Sequence, residues 1–135
     1  MNYWLIKSEP DTYSWDDFIK EGEATWDGVR NHAARLNLIA MKKGDLALFY
    51  HSNEGREIVG LAEVSNEHFQ DPTADDPRWV AVNFVPVEKF PKPVTLTQVK
   101  ADPRFANMAL VRLSRLSVGP VTREEFDAVI QLAHD

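Results

Sequence analysis

Apolar positions fall in short blocks separated by turn residues. Tyr3-Trp4-Leu5-Ile6, aromatic and branched, predicts a strand that Pro10 stops. Ser14-Trp15-Asp16-Asp17 predicts a helix start: Ser14 is the cap, and the carboxylate three residues on can answer it. Phe18 and Ile19 are expected to face inward, and Gly22 to end the helix. Trp26-Asp27-Gly28 reads as a turn. Asn31 then caps a second helix, on which Ala34, Leu38 and Met41 share one face. Lys42-Lys43-Gly44-Asp45 turns the chain again.

The central part is richer in strands. Leu46 to Tyr50 is a continuous apolar run, which predicts a strand buried on both faces. Ser52-Asn53-Glu54-Gly55 is a turn. Ile58 to Val64 is the next strand, and pairing of these neighbours as a hairpin is the simplest topology. Residues 66–78, polar and with two prolines, predict a loop. Trp79 to Val87 reads as a third long strand, with Pro86, Pro91 and Pro93 marking its edge or exit. Thr95 opens a short helix through Lys100, and residues 109–118 are expected to be partly extended. Thr122-Arg123-Glu124-Glu125 is a capping box for a last helix that turns Phe126, Val129, Ile130 and Ala133 inward.

About five strands thus interleave with three or four short helices, joined by hairpins more than by crossovers. This predicts an α+β fold built on a small mixed β-barrel or strongly curved sheet. No repeat or linker divides the 135 residues, so residues 1–135 read as one domain.

Composition narrows the chemistry. There is no cysteine, which excludes disulfides, thiol catalysis and cysteine-based metal sites. No apolar run reaches the roughly 18 residues of a membrane span. Residues 1–20 carry Lys7, Glu9, Asp11, Asp16 and Asp17 and no apolar core, so no secretory signal is visible and the expected location is the cytoplasm. The net charge of −6 argues mildly against a polyanionic partner. The charges are segregated, however: residues 11–28 and 54–78 are acidic, whereas 29–53 and 86–123 are basic. A negatively charged partner is accommodated if the basic segments share a face.

No metal or cofactor is expected. His32, His51, His68 and His134 lack ligand spacing, and neither a Gly-rich phosphate loop nor a nucleophile elbow occurs. Ser8, Glu9 and His51 could be imagined as a hydrolytic set, but nothing resembling an oxyanion hole accompanies them. Three clusters are unusual for pure scaffold: Lys7-Ser8-Glu9-Pro10, Trp26-Asp27-Gly28-Val29-Arg30-Asn31, and Tyr50-His51-Ser52. They stand at strand ends and a helix start, where binding groups collect. An aromatic wall with a few directional donors and acceptors suits a flat heteroaromatic ligand. The same residues also have scaffold readings: Trp26 in the core, Ser8 and Glu9 capping a turn, Arg30 in a local ion pair.

These clusters, with Gly44-Asp45, Phe49-Tyr50-His51-Ser52, Gly60-Leu61-Ala62-Glu63-Val64 and Arg115-Leu116-Ser117-Val118, closely resemble the EVE domain family from Tyr3 to about Ile130. The resemblance implies a PUA-like fold, a small curved barrel with helices packed around it. It implies a non-catalytic reader of nucleic acid that holds a modified cytosine of DNA in an aromatic-lined pocket. Carried over by motif, that pocket comprises Lys7, Ser8, Glu9, Pro10, Trp26, Val29, Arg30, Asn31, Tyr50, His51, Ser52 and Ser117. The sequence departs from the family at His32-Ala33-Ala34, where many members have Tyr-Gln-Ala, and in its short 70–78 loop.

The mechanism expected from this reading is binding of one extruded nucleotide. Trp26 stacks on the base and Tyr50 forms a second wall. Ser8, Glu9 and Asn31 read its polar edge, while Arg30, Arg35, Lys42 and Lys43 hold flanking phosphates. The alternatives are an RNA reader, an enzyme on a nucleobase or small amide with Glu9 or His51 as general base, and a protein-binding module.

Overall fold

The computed structural model describes residues 1–135. In chain order the strands are β1 (Tyr3–Ser8), β2 (Ala24–Trp26), β3 (Leu46–His51), β4 (Glu57–Gln70), β5 (Val80–Thr95) and β6 (Val118–Val121). The helices are α1 (Trp15–Glu21), α2 (His32–Ala40), α3 (Leu96–Ala101), α4 (Ala109–Arg112) and α5 (Arg123–His134). A single helical turn covers Pro103–Phe105. No helix is long and apolar enough to cross a membrane.

The strands form one mixed sheet in the order β2-β5-β4-β3-β1-β6. β1 and β3 run parallel, and every other pair is antiparallel. The expected α+β, PUA-like architecture is present. The sheet is curved but open, with β2 and β6 at its edges, so the barrel does not close. Repeated register shifts along the β4–β5 ribbon supply the bending.

Parity along the strands distributes side chains between two cores. On β3, Ala47 and Phe49 turn to one face, where α1 and α2 bring Trp15, Phe18, Ala34 and Leu38. Leu48 and Tyr50 turn to the other, covered by Val99, Phe105, Phe126 and Val129. The apolar run Leu46–Tyr50 is therefore buried on both sides, as its composition predicts.

Capping chemistry sets the helices where it was expected. Ser14 and Asp17, Thr95 and Gln98, and Thr122 and Glu125 form reciprocal capping boxes. The differences lie in tertiary pairing. The predicted turn at Trp26 is preceded by β2, a three-residue strand that exists only by pairing with Val82–Phe84. Part of the predicted 66–78 loop is strand, since β4 continues to Gln70. β5 runs through Pro86, Pro91 and Pro93 to Thr95 instead of ending near Val87. It tolerates them because β2 pairs only with Val82–Phe84, which leaves the outer side of the following residues unpaired. Residues 109–112 are helical rather than extended. Ile19 is 51% exposed, while its neighbour Phe18 is fully buried.

Candidate functional site

The candidate site lies at the end of the sheet where β1 stops. The amides of Thr12 and Tyr13 donate to the Glu9 carbonyl at 2.9 and 2.8 Å, folding residues 9–13 into a tight turn. The Ser8 hydroxyl donates to the Tyr13 carbonyl and locks that turn. The Tyr13 ring is thereby carried to Trp26, meeting it nearly perpendicularly with centroids 6.1 Å apart. Between this turn and β2 opens a cleft of about 690 Å³.

Lys7, Ser8, Glu9 and Trp26 line the cleft, as the motifs suggest. Trp26 is half-buried and set by three aromatic neighbours: besides Tyr13, Phe49 and Phe84 lie 5.6 and 5.7 Å away, both near-perpendicular. The remaining lining comes from residues the motifs did not flag: Thr12, Tyr13, Glu21, Glu23, Ala24, Thr25 and Asp27. All seven belong to the acidic run 11–28, whose charge was the only available signal. Four carboxylates, from Glu9, Glu21, Glu23 and Asp27, thus surround the cleft.

Lys7 does little to offset them. Its ammonium donates to the Ser114 carbonyl at 2.8 Å and lies 6.0 Å from the Tyr50 ring centroid. Burial lowers its pKa. Burial and the neighbouring Glu21 carboxylate push the Tyr13 phenol far above its ordinary pKa, so it is a neutral wall at any working pH.

Several expected members are elsewhere. Tyr50 is not a second wall: it is buried in the core on the opposite sheet face from the one against which Trp26 packs. Strand alternation separates it from Phe49, which does touch Trp26. His51 Nε2 accepts the Trp15 backbone N–H at 3.1 Å and so satisfies the first turn of α1. Its ring also meets Phe49 edge-on. Ser52 donates its amide to the Ser8 carbonyl, and Ser117 accepts the Lys7 amide, so both brace β1 through their backbones. Pro10 follows Glu9 in the turn but is not part of the lining. Val29 is a core residue.

Asn31 caps α2, its Oδ1 accepting from the Ala34 amide at 2.9 Å. Arg30 lies beyond the cleft, with Nη1 2.9 Å from Asp71 Oδ2 and Nη2 3.2 Å from Thr73 Oγ1. Arg35 is half-buried on α2. Lys42 and Lys43 precede β3, whereas the cleft borders the β1 end that pairs with His51 at the end of β3. A six-residue strand separates the two by roughly 20 Å. The structure therefore does not bring these lysines to the cleft.

The residue missed altogether is Asp71. Its side chain is fully buried, and it accepts hydrogen bonds from the Gly28 amide, Arg30, and both the amide and hydroxyl of Thr73. Burial opposes its ionisation, but these donors outweigh it and bring the pKa down to about 2. Gly28 reaches it with φ +74°, a conformation that favours glycine. The Asp71-Pro72-Thr73 pattern of an Asx turn was the sequence signal.

Comparison with known proteins adds a family and, for one relative, a ligand. The EVE domain family matches residues 2–132. Thymocyte nuclear protein 1 of Mus musculus is 36% identical, over 97% of this chain and 73% of its own length. A crystal structure from Agrobacterium tumefaciens is 46% identical with a TM-score of 0.97, covering 98% of this chain and 93% of that one. The human THYN1 protein, crystallised in complex with 5-methylcytosine-containing DNA, is 32% identical with a TM-score of 0.93, covering 100% of this chain and 99% of that one.

Proposed function

Because the chain belongs to the EVE domain family, we propose that it is a non-catalytic nucleic-acid reader that takes one extruded, modified cytosine of DNA into the cleft at Trp26. The observation that carries this reading is the aromatic fixture at the cleft's side. Trp26 is partly open to solvent, yet three rings hold it in one orientation. A fixed indole offers a stacking face with little ordering cost, worth roughly 1–3 kcal/mol per base. The full-length similarity to the human THYN1 protein, found with 5-methylcytosine DNA, supports cytosine as the base.

The acidic lining favours the same choice. Cytosine presents an exocyclic amino donor where thymine presents an acceptor, and a carboxylate is the group that accepts from it. Glu9, Glu21, Glu23 and Asp27 are the candidates. The same charges disfavour a phosphate inside the cleft, so the nucleic-acid backbone stays at the rim, towards Arg30 and Arg35. A base methyl buried there adds about 0.8 kcal/mol. Extrusion from a duplex costs a few kcal/mol, which favours modified or single-stranded targets over plain duplex.

The enzymatic alternative loses its histidine, because the His51 lone pair is already engaged by the Trp15 amide. The test is a fluorescence titration of the full chain with short oligomers carrying cytosine, 5-methylcytosine or thymine at one position. Tightest binding to the methylated base is expected. Equal affinity for all three refutes a base-reading cleft.

A further inference from the structure

We propose that a second stacking platform, built from His32 and Trp79 and steadied by Arg30, receives a base flanking the one held at Trp26 on the same strand. This rests on the reader assignment, and extends it to a site outside the cleft.

The Trp79 ring stacks with His32 at a centroid distance of 5.0 Å and an interplanar angle of 27°. The Arg30 guanidinium carbon lies 5.6 Å from the centroid of the same Trp79 ring. Trp79 is half-buried and His32 is exposed, so the stack ends at solvent. Packing of a core does not require an imidazole laid on an indole at the surface. A stack left open at one end is what a further planar ring can continue.

The platform is also rigid. Asp71 donates its amide to the Trp79 carbonyl at 2.9 Å, and Trp79 donates to Asp76 at 3.2 Å, closing the 71–79 loop. Arg30 is fixed by its pair with the buried Asp71. Arg35, three residues after His32 on α2, shares its face of the helix. It supplies a cation beside the platform for the intervening phosphate.

Position makes the two sites one track. Asp27 lines the cleft and Arg30 touches Trp79, and three residues of chain span at most about 10 Å. The Arg30 side chain and the 5.6 Å from its guanidinium carbon to the Trp79 centroid add to that span, and with bases about 3.4 Å apart along a strand the two sites lie within reach of one short oligomer. A single nucleoside in the cleft cannot use the platform, whereas an oligomer can.

The experiment compares two probes on the full chain: the 5-methylcytosine nucleoside alone, and a short single-stranded oligomer containing it. His32→Ala, at an exposed position, is expected to weaken oligomer binding about five- to tenfold and leave nucleoside binding unchanged, with His32→Tyr restoring the oligomer. Trp79→Ala is expected to give a larger loss of the same kind, its folding checked by circular dichroism. Unchanged oligomer affinity in both Ala variants overturns the platform. So does an equal loss for both probes, which would mean only that the cleft was distorted. If the unmodified chain binds neither probe, the reader assignment fails and the platform with it.

Discussion

Arg30 and Asp71, 41 residues apart, form an ion pair at 2.9 Å in which the carboxylate is fully buried and the guanidinium partly open. The pair ties the segment between β2 and α2 to the loop between β4 and β5. Both candidate base contacts hang from this joint, since Trp26 precedes it and Trp79 stands beside it. Asp71→Asn removes the charge from a site with four donors and is expected to cost about 1–3 kcal/mol. The Asp71 carboxyl titrates at about 2 in the folded chain, below its ordinary value of 3.8. Its contribution is therefore complete above about pH 4 and is lost as the pH falls towards 2. Urea midpoints at pH 5 and pH 3 check this: the parent chain should lose more between them than Asp71→Asn does.

His51 gives a second pH dependence in a different range. Burial lowers its pKa, against the smaller raising effects of Glu57 and Asp16, and its Nε2 accepts the Trp15 amide only when unprotonated. The unfolded chain binds the proton more readily, near pH 6.5. Stability from this group is present above that value and declines as the pH drops below it. Denaturant midpoints measured from pH 7.5 to 5 should fall in the parent chain and fall less in His51→Ala. At pH 7.5 that variant should be about 1 kcal/mol less stable, for the unpaired amide.

Gly60 of β4 lies directly against the Trp15 ring of α1. A Cβ there would stand 2.6 Å from Cη2 and Cζ3 of Trp15 and 2.9 Å from the Glu88 carbonyl oxygen. Trp15 is itself 2% exposed and cannot swing away. Gly60→Ala is expected to cost about 1–3 kcal/mol by overpacking. Gly60→Ala combined with Trp15→Phe should recover part of that loss, which thermal melts of the two variants would show.

What the sequence revealed follows the range of the interactions concerned. Ser14, Thr95 and Thr122 announce their helices because a capping box is complete within four residues. Trp26 and Lys7-Ser8-Glu9 were legible as neighbours lining one cleft because aromatic and polar groups at strand ends are locally odd. β2 was not, because three residues carry no periodicity and depend on β5. Tyr50 was misplaced because adjacent strand residues point to opposite faces and the motif does not say which face holds the cleft; His51, on the Phe49 side, was misplaced because its ring nitrogen is taken by the Trp15 amide, 36 residues away in the chain. The acidic rim and Asp71 needed the fold itself, which brings Glu9, Glu21, Glu23 and Asp27 to one opening and Asp71 beneath Gly28.

The proposed base reading depends on Trp26, and removal of this residue has two effects that must be separated. Trp26→Ala deletes an indole packed against Tyr13, Phe49 and Phe84, so a stability loss of about 3 kcal/mol is expected alongside any loss of binding. Trp26→Phe keeps an aromatic surface and should retain most of both. If the indole is the stacking face, the Ala variant, at a temperature where it remains folded, should bind 5-methylcytosine and plain oligomers with equal, weak affinity. The Phe variant should keep a reduced preference. A Trp26→Ala chain that still distinguishes the methylated oligomer, measured by anisotropy under those conditions, would place the base elsewhere on the molecule.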